Sequence, residues 1–283
     1  MSIFDTFEKK HQYLICVDSD GCVMDTMNCK HFHCFGPCMV AEWHLDGWRE
    51  AILQRWNEIN LFSMTRGINR FKGLAMALQE IDGKYTKITG VDALVHWANT
   101  APALSNDALA KAIEEATDAD TKQILSKALS WSKAVNAAIV DLDEALKVPY
   151  AGAAEGLAAA HSFADVAMVS SANRDAVEEE WGKFGLLAHT DIVLAQDIGS
   201  KAACIAEMLK FGYDPEKVLM IGDAPGDRDA ARKNGVHYFP ILVNHEKESW
   251  DEAISTAFPQ LQSGAYAPYG AVKEQQFLQN LGG

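Results

Sequence analysis

The sequence lacks any apolar run long enough to cross a bilayer, and it is poor in positive charge. Its 283 residues carry 25 lysines and arginines against 39 aspartates and glutamates, which gives a net charge of −14. Residues 1–12 contain no apolar stretch of the kind that a signal peptide needs. An acidic chain of this kind is not expected to bind nucleic acid or an anionic membrane, and we expect it in the cytoplasm.

Cysteine is also scarce. Six cysteines in a chain of this length do not form the framework of a disulfide-rich secreted protein. Most of them nevertheless fall in residues 16–38, where His31 and His33 add further soft metal ligands. Zinc binding by segment 29–38 is one interpretation, and lining of a substrate cleft by His31, His33 and Cys34 is another. No Cys-x-x-Cys pair is present. Simple packing is therefore the favoured interpretation of these residues.

Strand-like and helix-like patterns are segregated along the chain. Residues Tyr13–Val17 form a short apolar run typical of a buried strand, whereas apolar residues between Met39 and Leu146 recur at helical spacing. After Pro149 short apolar runs alternate with helical segments, which predicts parallel strands and right-handed crossovers. The predicted strands are Tyr13–Val17, Val166–Val169, Asp191–Leu194, Val218–Ile221 and Val236–Pro240; the predicted core helices are Arg174–Phe184, Lys201–Phe211 and Asp227–Asn234.

The order of these segments predicts an α/β fold with an insertion. We expect a Rossmann-like parallel sheet flanked by helices, built from residues 1–27 and 149–283. Residues 28–148 are expected to form an inserted helical domain. That insertion is nearly neutral, with 13 basic and 15 acidic residues, so the negative charge belongs mainly to the predicted core.

Polar side chains follow the predicted strands at the edge of the sheet where ligands bind in open parallel sheets. Four carboxylates, a hydroxyl and a lysine are expected to meet there. Carboxylates at such density repel one another unless a cation binds, and oxygen ligands of this type suit Mg²⁺. A carboxylate is also able to attack phosphorus and give an aspartyl-phosphate. The candidate residues are Asp18, Asp20, Ser170, Lys201, Asp223 and Asp227.

These motifs resemble those of the haloacid dehalogenase superfamily of aspartate-dependent phosphotransferases. The matching segments are VDSDGCV at 17–23, VAMVSSANRD at 166–175, GSKAACIAEML at 199–209 and VLMIGDAPGDRDAARKNGV at 218–236. The sequence departs from the common pattern at Cys22, where threonine is usual, and at Ala202, where proline is usual. Neither departure removes a predicted catalytic group.

The resemblance implies a role for each candidate residue. Asp18 is implied as the nucleophile and Asp20 as the general acid and base. Ser170 and Lys201 are implied as phosphate-binding residues, with Ser171 as a competitor for the serine position. The implied metal ligands are Asp18, Asp20, Asp223 and Asp227, where Asp227 also fits a helix-capping role.

The insertion resembles the helical cap of the branch that contains β-phosphoglucomutase and phosphoglycolate phosphatase. The segment TRGINR at 65–70 resembles the substrate-specificity loop of that branch, in which an arginine at the position of Arg70 contacts the substrate. Arg66 and Arg70 are therefore the candidate substrate-binding residues, and together with Lys72 they would supply positive charge in the nearly neutral insertion. Arginine suits forked recognition of phosphate or carboxylate. The resemblance also implies that the cap closes over the site and excludes water.

The leading hypothesis from the sequence is therefore a Mg²⁺-dependent phosphatase that acts on a small phosphorylated metabolite. A phosphomutase of the same cap class is the first alternative. A phosphonatase would need a cap lysine, for which Lys30 is a candidate, and a dehalogenase would not need Asp20 or the metal ligands. A non-catalytic binding protein on the same fold is the alternative from a different functional class.

Overall fold

The computed structural model describes residues 3–283 and divides them into two compact units. Residues 3–27 and 145–283 form the first, which we call the α/β unit, and residues 28–144 form the second, which we call the helical unit. The second junction lies at Ala145 rather than at the predicted Pro149. The Asp25 N–H donates to the Val148 carbonyl, and Tyr150 N–H donates to Val23, which ties this stretch to the α/β unit.

The α/β unit contains one parallel sheet of five strands in the order β3-β2-β1-β4-β5, which confirms the predicted fold class. Of the described chain, no helix combines the length and apolar character needed to cross a membrane. The elements are β1 Tyr13–Val17, α1 Thr26–Lys30, α2 Gly36–Glu42, α3 Arg49–Leu61, α4 Arg70–Ile81, α5 Val91–Thr100, α6 Asn106–Glu115, α7 Ala119–Val140, α8 Ala153–His161, β2 Ala164–Val169, α9 Arg174–Lys183, β3 Ile192–Leu194, α10 Lys201–Leu209, β4 Val218–Gly222, α11 Pro225–Asn234, β5 His237–Pro240, α12 Glu246–Glu252, α13 Phe258–Gln262 and α14 Tyr266–Asn280.

The register of the sheet brings the ends of its central strands together. Val17, the last residue of β1, pairs with Met168 of β2 and with Ile221 of β4. Each neighbouring strand therefore ends one residue further along, at Val169 and Gly222. All three strands are buried along almost their whole length, as expected for a parallel sheet covered on both faces.

The helix starts follow capping chemistry. Asn173 and Ser200 cap α9 and α10 as predicted, since each side chain accepts an N–H from the first turn. Helix α11 begins at Pro225, before the predicted start at Asp227. Proline is well suited to a first helical position because the N–H that it lacks would have no intrahelical partner there. Asp227 thus lies inside the first turn, and its carboxylate accepts the Ala224 N–H.

The chain after β5, whose packing the sequence pattern does not decide, folds back onto the α/β unit. Helix α14 packs on β5, where the Tyr266 hydroxyl donates to the Tyr238 carbonyl at 2.8 Å and Phe277 meets the Tyr238 ring edge-on. Trp250 of α12 is fully buried. The last forty residues therefore contribute to the core rather than extending from it.

The helical unit has its own aromatic core. Trp56 and Trp131 are fully buried and pack edge-to-face, and Phe71 packs against Trp131. The Trp131 indole N–H donates to the Phe35 carbonyl, so its polar atom is satisfied. Residues 28–144 contain no strand, as the helical spacing predicts.

A buried carboxylate near the start of β2 organises the end of the sheet opposite the candidate site. Asp165 is fully buried and accepts the backbone N–H groups of Lys10 and His11. The Tyr213 hydroxyl donates to the same carboxylate. A buried carboxylate requires such donors, because desolvating an unpaired charge is costly.

We predict that Tyr213→Phe lowers the free energy of unfolding by about 1.5 to 3 kcal/mol, the usual range for a hydrogen bond to a charged group. Tyr13→Phe is the matched control, because its hydroxyl donates to Gln262 in an exposed position. We expect that control to lose less than about 1 kcal/mol. Urea unfolding of both variants measures the difference, and equal losses would contradict a special role for the buried bond.

Candidate active site

Three carboxylates converge at the carboxyl edge of the sheet. Asp18 follows β1, Asp223 follows β4, and Asp227 lies in the first turn of α11. Each contributes an oxygen, and these oxygens all lie within 4.8 Å of one another. All three residues are buried, with exposed fractions of 5%, 1% and 0%. The predicted convergence of these strand ends is thus observed.

Lys201 is the cation of this cluster. It is the first residue of α10, and its Nζ lies 2.7 Å from Asp18 Oδ2 and 2.5 Å from Asp227 Oδ1. A lysine at a helix N-terminus is disfavoured by the helix dipole. The two ion pairs explain why the residue is found there.

The electrostatics of the cluster leave an excess of negative charge. Burial alone lowers the pKa of the Lys201 ammonium, but attraction to Asp18 and Asp227 outweighs burial and raises it, so the lysine is charged at neutral pH. Burial also raises the pKa of Asp18, and repulsion from Asp227 and Asp223 adds to this effect, against the attraction of Lys201. One ammonium does not balance three buried carboxylates.

A divalent cation with a preference for oxygen ligands fits this donor set. The side chains of Asp18, Asp223 and Asp227 offer hard oxygens, and a cation would offset the charge that Lys201 leaves unbalanced. Asp20 was also predicted as a ligand, but its carboxylate is not a member of the three-residue cluster. Its part in metal binding stays a prediction.

The close approach of Asp227 to the end of β4 depends on a glycine. A Cβ on Gly222 would lie 2.3 Å from Asp227 Cγ, a separation at which the two atoms overlap. Any other residue at this position would push Asp227 away from Lys201 and Asp18. The Tyr238 hydroxyl donates to the Gly222 carbonyl at 3.0 Å, which holds the strand end from the other side.

Asp20 is oriented by a neighbour that the sequence did not reveal. The Thr26 hydroxyl donates to the Asp20 carboxylate, and Thr26 is fully buried. Nothing in the sequence pattern distinguishes Thr26 from an ordinary residue at the start of a short helix.

Ser170 and Ser171 differ in their surroundings. Ser170 follows β2 directly, is 3% exposed, and accepts the Ala172 N–H on its hydroxyl at 3.1 Å. Ser171 is exposed. The burial of Ser170 beside a strand end agrees with the choice made from the sequence, although its role toward phosphate stays a prediction.

Cys22 is not suited to act as a nucleophile. Burial raises the pKa of its thiol, and the charges of Asp223 and Asp18 raise it further. The thiol contacts the Ile221 carbonyl at 3.8 Å. The thiolate, which is the reactive form, is therefore disfavoured at this position.

Both predicted cap arginines make contacts inside the helical unit. Arg66 is 2% exposed and donates to the Leu61 carbonyl at 2.8 Å. Arg70 donates to Asn136 at 2.7 Å and to Ser132 at 3.2 Å, and its guanidinium lies 5.0 Å above the Phe35 ring. Burial lowers the pKa of Arg70. These contacts give each arginine a packing role, and substrate binding by either stays a prediction.

The cysteines of the cysteine and histidine segment pack in or against the helical core, whereas His33 is exposed. Residues His31–Phe35 form a π-helical turn, in which His31 stacks on Phe35 and accepts the Trp56 indole N–H at 3.0 Å. Cys29 and Cys34 are buried. Within residues 3–283 the sole cluster with metal-ligand geometry is that of the three aspartates, so this segment has no arrangement of ligands for zinc.

The fold and the site define an enzyme of the parallel α/β class with an aspartate cluster at the strand ends. The family model of haloacid dehalogenase-like hydrolases matches residues 93–241, which is more than half of the chain. The protein belongs to this family of hydrolases. The matched span includes Ser170, Lys201, Asp223 and Asp227. Asp18 and Asp20 precede it, so their catalytic roles stay predictions from the sequence motif.

Two solved structures with similarity to this chain have low sequence identity to it. A "putative phosphoglycolate phosphatase" from Lactobacillus delbrueckii subsp. bulgaricus is 15% identical, with a TM-score of 0.52 over 81% of this chain and 85% of that one. L-2-haloacid dehalogenase from Xanthobacter autotrophicus is 17% identical, with a TM-score of 0.41 over 93% of this chain and 87% of that one. No sequence among curated proteins matches this chain.

We predict that Asp223→Asn raises the Tm of the metal-free protein and abolishes its increase with Mg²⁺. The substitution removes one of three mutually repelling charges and one ligand. Magnesium at a hundred times its Kd should stabilise the wild type by about 2.7 kcal/mol. Calorimetric melting with and without Mg²⁺ measures both effects.

The matched control for this experiment is Asp251→Asn, which alters an exposed aspartate paired with Lys247. It should change the Tm little and retain the whole magnesium effect, because exposed ion pairs contribute little to stability. A full magnesium shift in Asp223→Asn would show that Asp223 is not a ligand.

Proposed function

We propose that this hydrolase is a Mg²⁺-dependent phosphatase that cleaves a small phosphate monoester through an aspartyl-phosphate on Asp18. The observation that carries the proposal is the buried contact of Lys201 with Asp18 and Asp227, beside Asp223. Carbon–halogen cleavage does not need the acid Asp20 or a set of metal ligands. Phosphoryl transfer uses both, and the two further carboxylates beside Asp18 would supply the metal ligands.

In the first step an oxygen of Asp18 forms a bond to phosphorus while the bond from phosphorus to the ester oxygen breaks. Asp20 gives its proton to the departing alkoxide, which leaves as an alcohol. This splits hydrolysis into two easier displacements. For attack Asp18 must be ionised; burial raises its pKa, and the ammonium of Lys201 at 2.7 Å acts in the opposite direction, toward the ionised form.

In the second step a water molecule attacks the phosphorus of the aspartyl-phosphate. Asp20, now ionised, takes a proton from the water molecule. At the same time the water oxygen bonds to phosphorus, and the bond between phosphorus and the Asp18 oxygen breaks. Phosphate leaves, and Asp18 and Asp20 return to their starting states. The Thr26 hydroxyl orients the Asp20 carboxylate for both proton transfers.

Charge stabilisation is the main contribution of the site, because phosphoryl transfer spreads negative charge over the phosphoryl oxygens. Lys201 supplies one positive charge without any need to reorganise, since two carboxylates already hold its ammonium. When bound, Mg²⁺ supplies further positive charge and polarises the phosphoryl group. The hydroxyl of Ser170, which is buried beside the end of β2, is the proposed hydrogen-bond donor to the phosphoryl group.

We predict that phosphate release requires Mg²⁺ and Asp18. Release from a panel of phosphorylated sugars, small acids and nucleotides should stop on addition of EDTA and return with Mg²⁺. Asp18→Asn should lower kcat at least about a thousand-fold, as loss of a covalent nucleophile does in other hydrolases. The assay measures inorganic phosphate, with the position of phosphate on each sugar checked in parallel.

Three outcomes of this assay would overturn parts of the proposal. Full activity in Asp18→Asn would remove Asp18 as nucleophile. Isomerised sugar phosphate without free phosphate would make the enzyme a mutase. Unchanged activity of the wild type in EDTA would exclude the metal requirement.

We also predict that Ser170→Ala lowers kcat about 100-fold or more, the usual effect of removing one donor from a transition-state site. Ser171→Ala is the matched control, because it makes the same change one residue away at an exposed position. Steady-state kinetics of the two variants on the best substrate measure the difference. Equal effects, or a larger effect at Ser171, would reverse the assignment.

A further inference from the structure

The residue between the two catalytic aspartates has a polar side chain in the core. Ser19 is fully buried, although Asp18 and Asp20 on either side belong to the site. A buried hydroxyl needs a hydrogen-bond partner. Its partner is the indole N–H of Trp181, at 2.9 Å from Ser19 Oγ.

Trp181 belongs to the helix that follows Ser170. It lies near the end of α9 and is fully buried, so the bond to Ser19 is shielded from water. In a dry environment such a bond is strong and directional. The contact spans 162 positions in sequence and links the loop after β1 to the helix after β2.

The backbone of Ser19 holds the rest of the loop. Its carbonyl accepts N–H groups from Cys22, Val23 and Met24, and the Gly21 N–H donates back to the Met24 carbonyl at 2.8 Å. Gly21 has a φ of 85°, which glycine adopts without strain. A displacement of Ser19 would therefore move the whole turn that carries Asp20.

A second indole holds the far end of the same turn. The N–H of Trp250 donates to the Cys22 carbonyl at 3.1 Å. Trp250 packs so closely on α8 that a Cβ on Gly156 would lie 2.2 Å from its ring. Trp250 lies beyond residue 241, where the family match ends, so this anchor comes from a part of the chain outside that match.

We propose that Trp181 and Trp250 are positioning residues that fix the loop of residues 18–22, through Ser19 and the Cys22 carbonyl, so that Asp18 and Asp20 are held for reaction. The inference rests on the proposed function for its kinetic consequence. The two donors come from helices on different parts of the chain and act on one turn. Neither touches a reacting atom, so each acts only through the loop.

The test uses Ser19→Ala, Trp181→Phe and Trp250→Phe in the full chain. Each should lower kcat about 10- to 100-fold, because displacement of reacting groups by about 1 Å has effects of this size. KM should stay within about two-fold of the wild-type value, because the loop positions the reacting groups and does not bind the substrate in its ground state. Hydrogen exchange of the metal-free proteins should be faster in the peptide that contains residues 18–24.

A double-mutant cycle separates the specific bond from general loss of packing. Ser19→Ala and Trp181→Phe remove the two sides of one bond, so the combined variant should lose much less than the product of the single losses in kcat. The matched control is Tyr213→Phe, which removes a buried hydrogen bond at the opposite end of the sheet in the same unit. It should lose stability while kcat and exchange in residues 18–24 stay unchanged.

Two results would overturn the proposal. One is an unchanged kcat in all three variants despite folded protein, and the other is a multiplicative effect in the double mutant with no faster exchange in residues 18–24. A wild type without turnover on any phosphate ester would instead remove the proposed function. In that case the exchange measurement still decides whether the indoles hold the loop.

Discussion

The ion pairs of Lys201 are the constraint on which the site depends. Its ammonium lies between Asp18 and Asp227, and without it three buried carboxylates would face one another unbalanced. Breaking a buried ion pair by removing one partner typically costs about 3 to 5 kcal/mol. Lys201 reaches both carboxylates from the first position of α10, and the reach of Asp227 requires glycine at the end of β4.

The sequence predicted the features that depend on local pattern and on topology. Apolar runs located the strands to within one or two residues, and Asn173 and Ser200 marked helix starts through capping chemistry. Parallel pairing then required that the residues after β1, β2 and β4 lie at one edge. The convergence of Asp18 and Asp223 followed from that rule, without any knowledge of side-chain packing.

Features that depend on packing between distant segments were beyond the sequence. Arg70 is of a residue type that suits substrate recognition. Its guanidinium nevertheless donates hydrogen bonds to Ser132 and Asn136, which lie more than sixty positions away in the sequence. The contacts of Ser19 and Thr26 were also missed, because serine and threonine are common in turns for local reasons. Periodicity describes which face of an element is buried, but it does not identify the partner that a buried polar group finds there.

Electrostatic repulsion connects the aspartate cluster at the strand ends with the two buried indoles below it. Burial raises the pKa of Asp18 at the end of the central strand, and repulsion from Asp227 and Asp223 raises it further. Lys201 acts in the opposite direction, while the indoles of Trp181 and Trp250 contact the turn after Asp18 from within the core. A site that concentrates negative charge to hold a cation needs such rigid support, because the charges that make it useful also favour its opening. In the proposed arrangement the two buried tryptophans give this support, because their indole N–H groups hold Ser19 and the Cys22 carbonyl.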